Sequence, residues 1–369
     1  MSIQNPNKKI RIEGEAEEPQ IDRLSSLPDH VLHHVLSFFD DTLFSVRTSV
    51  LSSRWRSLWK HVPRLTLDTD FFNSASSFAR YVDGVLSSRL GGSNVDEINF
   101  FHLRFSLDKE LFQRVVKFAA SSNCQELIVC VGYDEILEPH LFVPLADSNL
   151  RRLRFRCSSL GTGFGSCAFS ALRVLDLDDC CLPCGSAADL DPFANFPCLE
   201  NLTLCGCAME DRQCCFKISG PRLVKLQISA LCCSKLEIFA PELKFFDITD
   251  IARSPILYQL ALPSLDHGII SVHDNGRVEK NKEEMKASCI SLLQGLHNAS
   301  SLNVHSHFLE LLSSNYDFLE DQSSPFTRLK SLKVSPYFPE FHYMLLSYHV
   351  IKYFMKGSSR HGPETIEFV

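Results

Sequence analysis

Residues 172–177 read LRVLDL, and the same arrangement, apolar-x-x-apolar-x-apolar, returns in LRRLRF (150–155), LENLTL (199–204), LVKLQI (223–228), LKFFDI (243–248) and LKSLKV (329–334). Weaker copies are expected to start at Phe100, Cys124, Leu265 and Ala299. Successive starts from 124 to 265 are 26, 22, 27, 24, 20 and 22 residues apart. A period of this size marks a solenoid, in which each unit is too small to bury its own apolar face and does so by stacking on the next. The alternating residues at the end of each motif predict a short parallel strand with one side turned inward. The eighth residue after the first leucine is also expected to turn inward, and it is Cys180 after Leu172 and Cys207 after Leu199.

Upstream of the repeats the pattern changes. Residues 27–59, LPDHVLHHVLSFFDDTLFSVRTSVLSSRWRSLW, predict three short helices. Pro28 suits a first helical turn, and Val31, Leu32, Val35, Leu36 and Phe39 follow at three- and four-residue spacing, to an end near Asp40. Asp41 or Thr42 caps a second segment carrying Leu43, Val46, Val50 and Leu51, and a third, Arg54 to Val62, is stopped by Pro63. About 40 residues cannot bury so much apolar surface alone, so either the rest of the chain or another protein must cover it.

Composition bounds the possible functions. With 369 residues, 45% hydrophobic and 22% charged, the chain has material for a large core. A net charge of -7 and a pI near 6.1 give no drive toward nucleic acid. The first 21 residues predict a flexible tail without the apolar core of a secretory signal, and no apolar run is long enough for a bilayer. A cytoplasmic or nuclear protein is expected, with KKIR (8–11) at most a weak import signal and the 15 cysteines free thiols. The stretch 275–288 reads as a charged insertion before an amphipathic helix, and 341–369 as a helical cap on the solenoid.

No constellation carries chemistry. CCLPC (180–184) and CGC (205–207) lack the paired spacing of a zinc site, and Cys180 and Cys207 already have a structural reading. GTGFGS (161–166) lacks the third glycine of a dinucleotide turn and any P-loop lysine, so it reads as a loop between repeats. His33 and His34 have no Cys, Asp or Glu partner at i+4 and read as solvent-facing positions, and His305 and His307 in a strand-like stretch have the same weakness. No acid–base pair or nucleophile motif stands out, and neither metal nor cofactor is expected.

The order of DRLSSLPDHVLHHVLSFF and VRTSVLSSRWRSLWKHVPRLTLD, with its Leu-Pro start, T-S-V-L-S turn, R-W pair, L-W and V-P, closely resembles the F-box of the plant F-box/leucine-rich-repeat family. The resemblance implies a three-helix F-box over 22–68 and an irregular leucine-rich-repeat solenoid with short parallel strands over 69–340. It implies a non-catalytic subunit of an SCF-type cullin-RING ubiquitin ligase, whose F-box binds a Skp-type adaptor and whose repeats hold a protein substrate that the sequence does not identify. Carried over, adaptor contacts fall on Leu27, Pro28, Leu32, Val35, Leu36, Val50, Leu51 and Trp55, with Leu32, Val35 and Leu36 on that face or in the internal core. Trp59 is expected between F-box and first repeat. The link FDDTLF departs from the family's pattern, and no C-terminal domain of the kind many relatives carry is recognisable, which suggests a shortened member. The alternative is a repeat scaffold that binds partners without promoting ubiquitination.

Overall fold

Three N-terminal helices, α1 (Asp29–Ser37), α2 (Thr42–Arg47) and α3 (Trp55–Leu58), precede a ladder of strands. The computed structural model describes residues 24, 26–89, 94–132, 134–161, 164, 167–182, 191–211, 214–249, 256–271, 282–313, 323–335, 350, 352–354 and 365–368. Among them the main sheet has twelve strands in chain order. They are β1 (Arg64–Asp68), β2 (Glu97–His102), β3 (Glu126–Val131), β4 (Arg152–Arg156), β5 (Val174–Asp178), β6 (Asn201–Cys205), β7 (Lys225–Ser229), β8 (Phe245–Thr249), β9 (His267–Ser271), β10 (Ser301–His305), β11 (Ser331–Ser335) and β12 (Thr365–Phe368).

Every neighbouring pair is parallel, and the register keeps the motif in step. Leu127, Leu153, Leu175, Leu202, Leu226 and Phe246 lie side by side, as do Val129, Phe155, Leu177, Leu204, Ile228 and Ile248. All twelve are buried, and the residues between them face outward. Parallel strands require a crossover. Helices α4 (Ala75–Arg89) and α5 (Lys109–Ser121) supply the first two. The middle repeats use short strands that form a second layer, and α6 (Lys282–Gly295) and α7 (Ser306–Ser313) flank β10.

The turn after each middle strand explains the cysteines. Asp179, Gly206 and Ala230 take left-handed φ angles of 54°, 63° and 54°. Their N–H groups donate to the last strand carbonyl of the following repeat, those of Cys205, Ser229 and Thr249. The next residue then turns inward: Cys180, Cys207 and Leu231 are buried. The Cys180 thiol donates to Phe155 O at 3.8 Å and the Cys207 thiol to Leu177 O at 3.5 Å, each in the preceding repeat. Cysteine fits because it is small, apolar and still a weak donor. Gly206 is required twice over, by its φ and because a Cβ there would lie 2.4 Å from Asp179 Oδ1.

Between the layers runs a continuous file of phenylalanines. Phe78, Phe100, Phe112, Phe142, Phe155, Phe164, Phe196, Phe193 and Phe216 follow one another at centroid distances of 4.9–6.1 Å, mostly edge-on or tilted. These are geometries aromatic quadrupoles favour. The file spans several repeats, so the core is one body.

The structure corrects four expectations. Val62, Leu65 and Leu67 already have the repeat spacing, and β1 pairs in register with β2, so the array begins inside the segment assigned to 22–68. Phe100 is the last apolar position of its motif, opposite Val129, and that repeat starts at Val95. His305 ends β10, but His307 lies on α7. Within the expected helical cap, Thr365–Phe368 pairs with β11 as a strand instead. Its apolar residues Ile366 and Phe368 match the register of Leu332 and Val334. Of that cap's helical stretch, Val350 and 352–354 are helical, with Phe354 stacked on Phe326 at 5.2 Å. The tail, KKIR, 275–281, Cys184 and 341–349 lie outside the described residues.

Candidate functional site

The apolar stripe of α1 is too wide for a single partner, and the fold splits it. Leu32 and Leu36 are buried against Trp55, Leu58, Trp59 and Val62 in the core. Val35 on the same helix is 39% exposed, with Phe38 (71%) and Phe39 beside it at the helix end. After α2 the chain makes one 3-10 turn, Thr48–Val50, and there Val50 is 88% and Leu51 61% exposed. Pro28 is exposed and Leu27 half-buried against the core. So of the eight residues expected to contact an adaptor, Pro28, Val35, Val50 and Leu51 face outward, while Leu32, Leu36 and Trp55 build the unit that presents them.

Arg54 fixes the entry. Its guanidinium donates to the Leu27 carbonyl and to Asp29 Oδ1, tying the third segment to the Leu-Pro turn. The pair is solvent-exposed, so it orients more than it stabilises. Asp41 caps α2 by accepting from Leu43 N at 2.6 Å.

The helical unit also closes the sheet. An edge strand presents unpaired backbone groups that invite foreign strands, and here α2 lies against β1, where Thr42 Oγ1 accepts from Thr66 N at 2.9 Å. From the other side Arg89, the last residue of α4, is buried and donates to the carbonyls of Trp59 (2.8 Å) and Val62. Its guanidinium lies over the Trp59 ring at 5.9 Å, which places Trp59 between the helices and the first repeat. Burial lowers the Arg89 pKa to about 10 and raises that of Asp41 to about 6. Neither Asp41, Thr42 nor Arg89 carried a sequence signal for this role, beyond the capping expected of the first two.

Aromatic contacts continue across the junction. Phe39 meets Phe44 at 6.4 Å, Phe44 meets the exposed Phe71 edge-on at 5.1 Å, and Arg47 sits over Phe44 at 5.7 Å.

Residues 24–67 match the F-box domain family. The longer similarities agree. F-box/LRR-repeat protein 25 of Arabidopsis thaliana is 28% identical over 238 residues, 62% of this chain and 86% of that protein. A putative F-box/LRR-repeat protein of the same plant is 27% identical over 312 residues, 79% of this chain and 62% of that one. The chain carries an F-box and is similar over most of its length to plant F-box/LRR-repeat proteins. An FBD-associated F-box protein of A. thaliana is 33% identical over 188 residues, of which this chain covers only 39% of the length. The F-box is therefore the helical unit α1–α3 together with β1, and the match ends inside the first repeat strand.

The rest of this F-box/leucine-rich-repeat chain offers no obvious chemistry. Among the described residues no group of three or more His, Cys, Asp or Glu side chains is placed to hold a metal ion. No described helix is long and apolar enough to cross a membrane. Arg152, Arg154 and Arg156 project from β4 between Glu126 on β3 and Asp176, Asp178 and Asp179 after them, in ion pairs of 3.0–3.4 Å. These are exposed cross-strand pairs that fix register and outward charge.

Proposed function

We propose that the chain is the substrate-recognition subunit of an SCF-type cullin-RING ubiquitin ligase. The observation that supports this most is the outward set Val35, Phe38, Phe39, Val50 and Leu51 on a unit whose Leu32, Leu36, Trp55, Leu58 and Trp59 are buried. Large apolar side chains left at such exposure are what an interaction surface offers. A Skp-type adaptor would cover them, with Pro28 and Leu27 at the helix entry, while Leu32, Leu36 and Trp55 act indirectly by holding the surface in shape.

The repeats then serve as the substrate platform. Their outward strand face and the loops around 156–171 and 178–196, of which 162–163, 165–166 and 183–190 lie outside the described residues, are the places where recognition usually falls. No bond chemistry falls to this chain; it raises the local concentration of substrate near the conjugating enzyme. The test is co-expression with a Skp-type adaptor and cullin followed by pull-down. Retention of the adaptor by the wild-type chain supports the reading, and a stably monomeric protein indifferent to adaptor overturns it. Comparison of partner half-life with and without the protein separates a ligase subunit from a passive scaffold.

A further inference from the structure

Cys157 directly follows β4 and Cys180 lies two residues beyond β5, after the left-handed Asp179; they are 23 residues apart in sequence, and their sulfurs are 3.5 Å apart. Both are buried, and neither belongs to the docking surface. Other inward cysteines of the array meet carbonyls: the Cys124 thiol donates to Asp96 O and Glu126 O at 3.7 and 3.0 Å, and Cys207 to Leu177 O and Cys205 O. Here sulfur also faces sulfur, beside the Phe155 and Asp178 carbonyls that Cys180 reaches. Both lie in turns just past the paired strands, and closing the sulfur gap by about 1.5 Å would bring the pair to disulfide length.

We propose that Cys157 and Cys180 are an oxidation site that a peroxide converts to a reversible disulfide between neighbouring repeats. The Cys180 sulfur attacks one peroxide oxygen, the O–O bond breaks, and one water leaves with a Cys180 sulfenic acid behind. The Cys157 sulfur then displaces the hydroxyl as a second water. Two thiols lose two protons and two electrons, and the peroxide gains them.

The order follows from the contact. Either sulfur of the contact can donate; with the Cys157 thiol donating, the Cys180 pKa is drawn down, and a second anionic sulfur beside it is disfavoured, so Cys157 is held up. Cys130, half-buried on the outward face of β3, neighbours the pair. The bond would pin the turns of β4 and β5 beneath the outward pair Arg156–Asp178.

The full-length protein would be treated with hydrogen peroxide, its remaining thiols alkylated under denaturing conditions, and the unreduced digest read by mass spectrometry. Expected is a linked peptide pair carrying Cys157 and Cys180, lighter by two hydrogens, lost on treatment with dithiothreitol and absent from Cys157→Ser. The oxidised wild type should also unfold at a higher temperature than the reduced one. A dose that oxidises the exposed Cys205 but leaves both residues alkylated overturns the proposal, and so does linkage of either residue to a different cysteine.

Discussion

Replacing Val50 and Leu51 together by alanine separates a docking surface from a core. Fully burying a valine or leucine is worth about 1.5–3 kcal/mol. Val50 is 88% and Leu51 61% exposed in the chain alone, so most of that stabilisation is still unclaimed in the free protein. An adaptor that covers both would lose about 3 kcal/mol of binding with the double variant, close to a hundredfold in Kd. The variant's own unfolding should shift by less than about 0.5 kcal/mol, as surface substitutions do. Leu32→Ala provides the opposite case, because a fully buried leucine truncated to alanine costs about 2–5 kcal/mol of folding stability. Calorimetric titration of a purified Skp-type adaptor into each variant, beside urea unfolding of each, gives both numbers. Unchanged adaptor affinity in the Val50/Leu51 variant, or marked destabilisation of it, would refute the division of the F-box into an outward and an inward set.

Further expectations concern the junction and the turns. Burial raises the Asp41 pKa from 3.8 to about 6, so the folded state holds the proton more tightly than the unfolded one between those values. Stability should therefore fall by about 3 kcal/mol as pH rises through that window, and Asp41→Asn, which keeps a capping oxygen, should flatten the urea midpoint against pH. Arg89→Met strands the Trp59 and Val62 carbonyls and should cost about 3 kcal/mol in the same assay; a midpoint within error of wild type would remove the clamp from the account. Gly206→Ala meets both a left-handed φ and the Asp179 carboxylate, for a loss of about 2 kcal/mol, part of which Asp179→Ala should return in the double variant.

The repeat register was legible because Leu-x-x-Leu-x-Leu carries both the strand alternation and the inward turn, and Leu153, Leu175, Leu202 and Leu226 fall in step in the sheet. The first copy, Val62–Leu67, was masked by the F-box motif that overlaps it. The last, Thr365–Phe368, is too short for any periodicity and becomes a strand only because β11 offers an edge. In the F-box the residue types were legible but their sides were not. Leu32, Val35, Leu36 and Phe39 form one stripe at helical spacing, and only the positions of Trp55 and Trp59 decide which of them turn inward. The junction was beyond reach for a different reason. Thr42 meets Thr66 across 24 residues and Arg89 meets Trp59 across 30, through single polar contacts that leave no pattern in either segment.

With the F-box seated on β1 and strands added one after another away from it, the sheet behaves as a graduated ruler anchored at one end. Parallel strands are spaced by about 4.8 Å, so the far strand stands about 50 Å along the ladder from the anchored edge. On the proposed function, gain or loss of a single repeat beyond a bound substrate would leave its distance from the adaptor untouched, whereas the same change between substrate and F-box would shift it by one graduation and turn it by the sheet's twist. Relatives differing in repeat number can thus explore reach and orientation in discrete steps without altering a residue of the anchor.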